Sequence, residues 1–152
     1  MDDFAIWSGD QNIPEKIMHL ADQKVVKRIT RKAARRGMNI PRNAARENAK
    51  MIDDPETRAY IPKNIKVAAG RSRNKDQIVM RVGIDGGAAF NGRPAKITSG
   101  GDTRHWRFIE FGTAYIPAIP FMRIAFYNNI DAVIETFAQT FSNELDLELA
   151  RL

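Results

Sequence analysis

Residues 105–126 read "HWRFIEFGTAYIPAIPFMRIAF", the densest apolar run in the chain, with two prolines three residues apart. Proline lacks the N–H that an inner strand must donate, so Pro117 and Pro120 bar any strand from continuing through them. The chain must therefore end one element near Phe111, turn, and restart as another. In "HWRFIEF", Trp106, Phe108 and Glu110 alternate with Arg107, Ile109 and Phe111. Both faces are largely apolar, which predicts a central strand with something packed on each side. Gly112 permits a sharp bend, and Thr113 can hydrogen-bond the turned backbone. Pro120 can open a helix at "PFMRIAFYNN", anchored by Phe121. Glu110, set among apolar neighbours, needs a cation, either Arg123 or an arginine from a neighbouring subunit.

The rest of the chain supplies helices and a hairpin. "NIPEKIMHLADQKVVKRITRKAARR" predicts a long helix, with Asn12 as N-cap, Pro14 in the first turn and Glu15 completing a capping box. Ile13, Ile17, Leu20, Ala21, Val25, Ile29 and Ala33 give it one apolar face, and Gly37 ends it. A weaker helix is expected from about Arg42 to Met51, with a small-residue face of Ala44, Ala45, Asn48 and Ala49. Ile65–Ala69 and Gln77–Ile84 read as a β-hairpin with a long basic loop. Residues 85–104, rich in glycine and without periodicity, read as a mobile exposed loop. A stripe of Ile130, Val133, Ile134, Phe137, Phe141 and Leu145 predicts a closing helix. The expected fold is one α+β domain over residues 1–152: a long first helix, a small antiparallel sheet of hairpin plus central strand, and a last helix packed on the sheet.

Charge is unevenly spread. From Lys24 to Lys75 sixteen Lys and Arg face four acids, a net +12, whereas Asn129–Leu152 carries five acids and only Arg151, a net −4. Lys27, Arg28, Arg31, Lys32, Arg35 and Arg36 fall in rows spaced by four on the first helix, with Arg71, Arg73 and Lys75 of the hairpin loop extending them. Such a face can hold phosphates through salt-sensitive contacts, remain a solvated face, or meet acids of a neighbouring subunit. No base-reading or stacking signature accompanies it.

Enzyme chemistry finds little support. His19 and His105 have no HxxxH or HExxH partner, and with no cysteine in the chain thiol chemistry and Cys-based zinc sites are excluded. No GxSxG elbow or phosphate-cradling glycine motif is present. Asp85 and Asp102 are too isolated to predict a cation site, and a hydrolase built on Glu110 or Asp102 is the weakest reading. No run is long and apolar enough to span a bilayer, and the acidic start "MDDFAIWSGDQ" is not expected to act as a secretory signal.

"FIEFGT" followed by "IPAIPFMRIAF" resembles the signature of a neck family of long-tailed bacteriophages, the minor tail protein Z-like proteins of head–tail joining and tail completion. The match rests on Phe108, Glu110, Phe111, Gly112, Thr113, Pro117, Ala118, Pro120, Phe121 and Ala125, with Trp106 just before them. The resemblance implies a structural virion protein without enzymatic activity or cofactor. It would form a homo-oligomeric ring beside tail terminator and head completion proteins, in the host cytoplasm during assembly and then in the virion. In such a ring the signature residues are expected to form the scaffold and a subunit contact. The basic helix of one subunit would face the acidic helix of the next, or packaged DNA. A nonspecific DNA-binding protein is the alternative.

Overall fold

The computed structural model describes residues 18, 21–86 and 96–151. Its elements are α1 (Gln23–Lys50), α2 (Ile61–Asn64), β1 (Ile65–Ala69), β2 (Met80–Ile84), α3 (Trp106–Phe111), α4 (Phe121–Tyr127) and α5 (Ile130–Leu149). The α+β class stands, with four corrections to the sequence-based expectation.

The first concerns α1. The proposed cap at Asn12 lies outside the described residues; the helix that is seen starts at Asp22, whose carboxylate accepts from the Lys24 N–H at 2.8 Å. It then runs without interruption to Lys50, through both Gly37 and Pro41, where two separate helices were expected. Glycine and proline each disfavour a helix interior, by about 1 and 3 kcal/mol respectively, so packing must offset them. Pro41 cannot donate to the carbonyl four residues back, and that residue is Gly37. A Cβ on Gly37 would stand 3.0 Å from the Val133 carbonyl oxygen and 3.8 Å from the Phe137 Cβ. The missing side chain lets α5 lie directly against α1. The buried residues Val25, Ile29, Ala33, Gly37, Pro41, Ala45 and Ala49 recur every four positions. Such a row drifts about 40° per step around a 3.6-residue helix. Its first half consequently meets α5, and its second half meets α4.

The second correction is the central strand. "WRFIEF" is the helix α3, and the sheet among the described residues has two strands, paired antiparallel with Ile65 opposite Ile84 and Ala69 opposite Met80. Trp106, Ile109 and Glu110 turn inward at helical spacing, while Phe108 and Phe111 are exposed. An apolar run this short fits either period, and the tie is broken by the Trp106 N–H reaching the Thr103 carbonyl at 3.0 Å, which starts a helical turn.

The third correction follows from the second: α5 packs antiparallel on α1 and not on a sheet. The two-stranded hairpin is itself held to α1, where the Arg46 guanidinium donates to the Ile65 carbonyl at 2.7 and 3.1 Å. The core joins Ala45 and Ala49 of α1, Ile61 and Ile65, and Phe121 and Ala125 of α4. The expected mobile loop is corrected in its second half, while residues 87–95 lie outside the described residues. Thr98, Gly101 and Thr103 close around the fully buried Asn64. Its amide donates to the Gly101 carbonyl and the Thr103 hydroxyl and accepts from the Thr98 hydroxyl, all within 3.1 Å. A buried amide satisfied on both sides fixes this segment to the start of β1.

Candidate functional site

The apolar signature forms one corner, α3–turn–α4. Gly112 ends α3 with φ 72°, a conformation that favours glycine, and a Cβ there would meet the Ala118 nitrogen at 2.8 Å. The Thr113 hydroxyl accepts from the Tyr115 and Ile116 N–H groups at 3.2 and 3.0 Å, and the Thr113 N–H donates to the Ile116 carbonyl at 2.9 Å. The Ile119 N–H then returns to the Ile109 carbonyl at 2.7 Å, closing the turn onto α3. The expected roles of Gly112 and Thr113 are thus those observed.

Glu110 does more than neutralise a cation. Pro120 occupies the N-cap position of α4, and its side chain has nothing to offer the first N–H groups of that helix. Glu110, 1% exposed, supplies the missing cap from the preceding helix. Its carboxylate accepts from the Met122 N–H at 2.9 Å, the Arg123 N–H at 3.0 Å and the Arg123 Nε at 3.0 Å. Arg123 is the partner, with its second nitrogen on the Glu110 carbonyl and its guanidinium 5.0 Å from the centre of the Phe111 ring. Phe121 drives into the core, and its carbonyl accepts from the Asn48 side chain at 3.1 Å.

The signature therefore divides in two. Glu110, Phe121 and Ala125 are buried, and Trp106, Gly112 and Pro120 half-buried. Phe108, Phe111, Thr113, Pro117 and Ala118 are exposed on the outer side of the corner. Tyr115, 95% exposed, Ile116, Ile119 and Ile124 share that outer surface and were not singled out from the sequence. For Tyr115, Ile116 and Ile119, their place between Gly112 and Pro120 was the available signal, because a turn held this way leaves its tip outside. An apolar surface on a backbone fixed by five internal hydrogen bonds suits a docking surface that loses little entropy on binding.

The basic face is only partly free. Lys27 lies 3.5 Å from Asp76 of the hairpin loop, in which Arg71 and Arg73 are exposed. Arg28 pairs with Glu148, and Lys32 with Glu144 at 2.7 Å, so α5 of the same chain takes up part of the positive charge. Arg31, Arg35 and Arg36 are exposed, with no ion pair among the described residues. Further along α1, burial and the neighbouring Arg46 charge hold Arg42 below its usual pKa. Asp85 is held below the ordinary carboxylate range chiefly by its hydrogen bond to Lys96, at 2.8 Å, with Lys66 at 3.4 Å assisting against partial burial.

Among the described residues no cluster of three or more His, Asp or Glu side chains could hold a metal ion, and no helix is long and apolar enough to cross a membrane. Asp102 pairs with Arg104 at 2.8 Å. Glu110 is committed to capping. What the geometry defines is an α+β protein with a rigid apolar corner and a polarised helix pair. Residues 12–112 match the model of the HK97-gp10-like family, described as "Bacteriophage HK97-gp10, putative tail-component", and the chain belongs to that family. It is a bacteriophage tail component, of a head–tail joining and tail-completion family that is structural and not enzymatic. No curated protein and no solved structure gives a match.

Proposed function

We propose that this tail component acts at the neck, completing the tail and joining it to the head as a ring of identical subunits. The observation that carries this reading is the outer side of the α3–α4 corner. Phe108, Phe111, Tyr115, Ile116 and Ile119 are between 47% and 95% exposed on a backbone that is already fixed. Exposed apolar surface of this extent is a cost to an isolated subunit and an asset to an assembled one. The partners are further copies of the chain and the neighbouring tail terminator and head completion proteins, met in the host cytoplasm during assembly and retained in the virion. The test is electron microscopy of particles made by a phage carrying an early stop codon in this gene. DNA-filled heads beside detached or unfinished tails are expected, and normal infectious virions would remove the assembly role.

A second reading draws on Arg31, Arg35 and Arg36, whose free charge suits nonspecific contact with packaged DNA. It predicts that the isolated protein retains duplex DNA in a salt-dependent way and loses it when these arginines are neutralised.

A further inference from the structure

The internal ion pairs decide which charges are left for a partner. Arg28 and Lys32 are matched by Glu148 and Glu144 within the chain. Among the charges this leaves are Arg31, Arg35 and Arg36 on α1 and Asp131, Glu135 and Asp146 on α5, all exposed and without an ion pair among the described residues; Arg31 with Arg35, and Asp131 with Glu135, form rows. Each row is spaced by four, so each presents two like charges about 5–6 Å apart on one helix face.

Their directions follow from the helix contact. Arg31 and Arg35 stand two positions either side of buried Ala33, and two residues turn a helix by about 200°. Asp131 and Glu135 stand two positions either side of Val133, whose carbonyl faces Gly37. Both rows thus point away from the α1–α5 contact, one from each helix, and lie on opposite outer faces of the pair. A single chain is positive on one side and negative on the other, with matching spacing.

The rows also stand at nearly the same height. Gly37 meets Val133 and Phe137, so the acidic row is centred close to the level of Gly37, about one helical turn from the centre of the basic row at Ala33. Copies joined through these faces make a heterologous contact, which closes into a ring where the rotation between neighbours closes. Ile134, 61% exposed, adjoins Glu135 and gives the aliphatic stems of incoming arginines an apolar seat.

We infer that the partner of this face is a second copy of the chain, docked head to tail with Arg31 and Arg35 of one subunit against Asp131 and Glu135 of the next. The inference rests on the ring reading above and specifies its contact. It is heterologous, so the two rows are never self-paired across a two-fold axis.

The test uses the full chain and two charge-reversed variants, R31E/R35E and D131R/E135R, sized by analytical ultracentrifugation and electron microscopy at low and moderate salt. Circular dichroism should show both variants folded, since all four positions are exposed. The first variant is negative on both faces and the second positive on both. Each alone should remain a monomer under conditions where the unaltered chain forms rings, and an equimolar mixture should assemble by alternating the two. Rings formed by each variant alone as readily as by the unaltered chain would overturn the pairing and leave the ring reading standing. If R31E/R35E still forms rings but loses DNA retention, the arginines serve DNA and the pairing is overturned. Failure of the mixture to assemble, with each variant monomeric, overturns it as well. An unaltered chain that stays monomeric at every concentration, with particles still carrying a neck ring of another protein, would sink both readings together.

Discussion

Glu110 is the residue on which the corner turns. Truncation to alanine leaves the Met122 and Arg123 N–H groups without an acceptor at the start of a seven-residue helix, and deprives Arg123 of its partner. Charge-assisted hydrogen bonds to a buried group contribute about 1.5–3 kcal/mol, so Glu110→Ala should lose about 3 kcal/mol in urea unfolding. Glu110→Gln keeps an acceptor but not the charge, and should lose about half as much. Equal losses would show that the shape of the side chain, and not its capping, is what matters. Asp85 makes a pH-dependent contribution. Its carboxyl titrates below the ordinary value in the folded chain, held there first by Lys96. The stabilisation is therefore fully present above the unfolded pKa of about 3.9 and is lost as the pH falls through the lower folded value. Asp85→Asn should cost up to about 1 kcal/mol at pH 7, as partly exposed ion pairs do. The difference between the two proteins should close on acidification below pH ~4.

Among the elements, α1 shows how far sequence pattern reaches. The apolar positions Val25, Ile29 and Ala33, the small face at Ala45 and Ala49, the hairpin and the last helix were all legible, because each is a local periodicity. The continuity of α1 was not. Gly37 and Pro41 are ordinary stop signals, and only the approach of Val133 from ninety-six residues away makes a glycine favourable there. The strand expected at 106–111 failed for a related reason: six residues with apolar groups at both spacings carry no period of their own, and Thr103 and Glu110 settle the outcome through contacts outside the window. The Glu110–Arg123 pair was legible as a need for charge. That the same carboxylate caps α4 was not, since the cap comes from another element. Packing at Gly37 predicts that Gly37→Val, which crowds the Val133 carbonyl, destabilises by about 1–3 kcal/mol. Gly83→Ala in β2, where a Cβ meets nothing within 4 Å, should be neutral or slightly stabilising. Thermal unfolding of the two variants side by side checks the contrast, and a harmless Gly37→Val would mean that α5 can move off α1 without cost.

For the whole molecule, the question is why a chain with a net charge of +6 and a well-formed core leaves Phe108 and Phe111 of its signature, and Tyr115 beside them, in water. The core does not need them: Phe121 and Ala125 close it against α1, and the outer side of the corner contributes nothing to that packing. Substituting Tyr115 and Ile116 with serine leaves Gly112, Thr113 and the backbone hydrogen bonds of the turn in place. Surface changes of this sort usually shift folding stability by no more than about 0.5 kcal/mol. A contact made by these two side chains would lose far more, since burying each apolar side chain is worth about 1.5–3 kcal/mol. An interface containing both should weaken by roughly 100- to 10,000-fold. The Tyr115→Ser/Ile116→Ser chain should therefore unfold at the same temperature as the unaltered protein, yet fail to join particles when supplied to an extract from the stop-codon phage. The defect should be insensitive to salt, unlike that of R31E/R35E, because apolar burial is not screened and ion pairing is. A variant that unfolds early would place Tyr115 and Ile116 in the stability of the subunit. One that joins particles normally would free the outer corner of any role in assembly and leave the charged faces of α1 and α5 to hold the proposed ring.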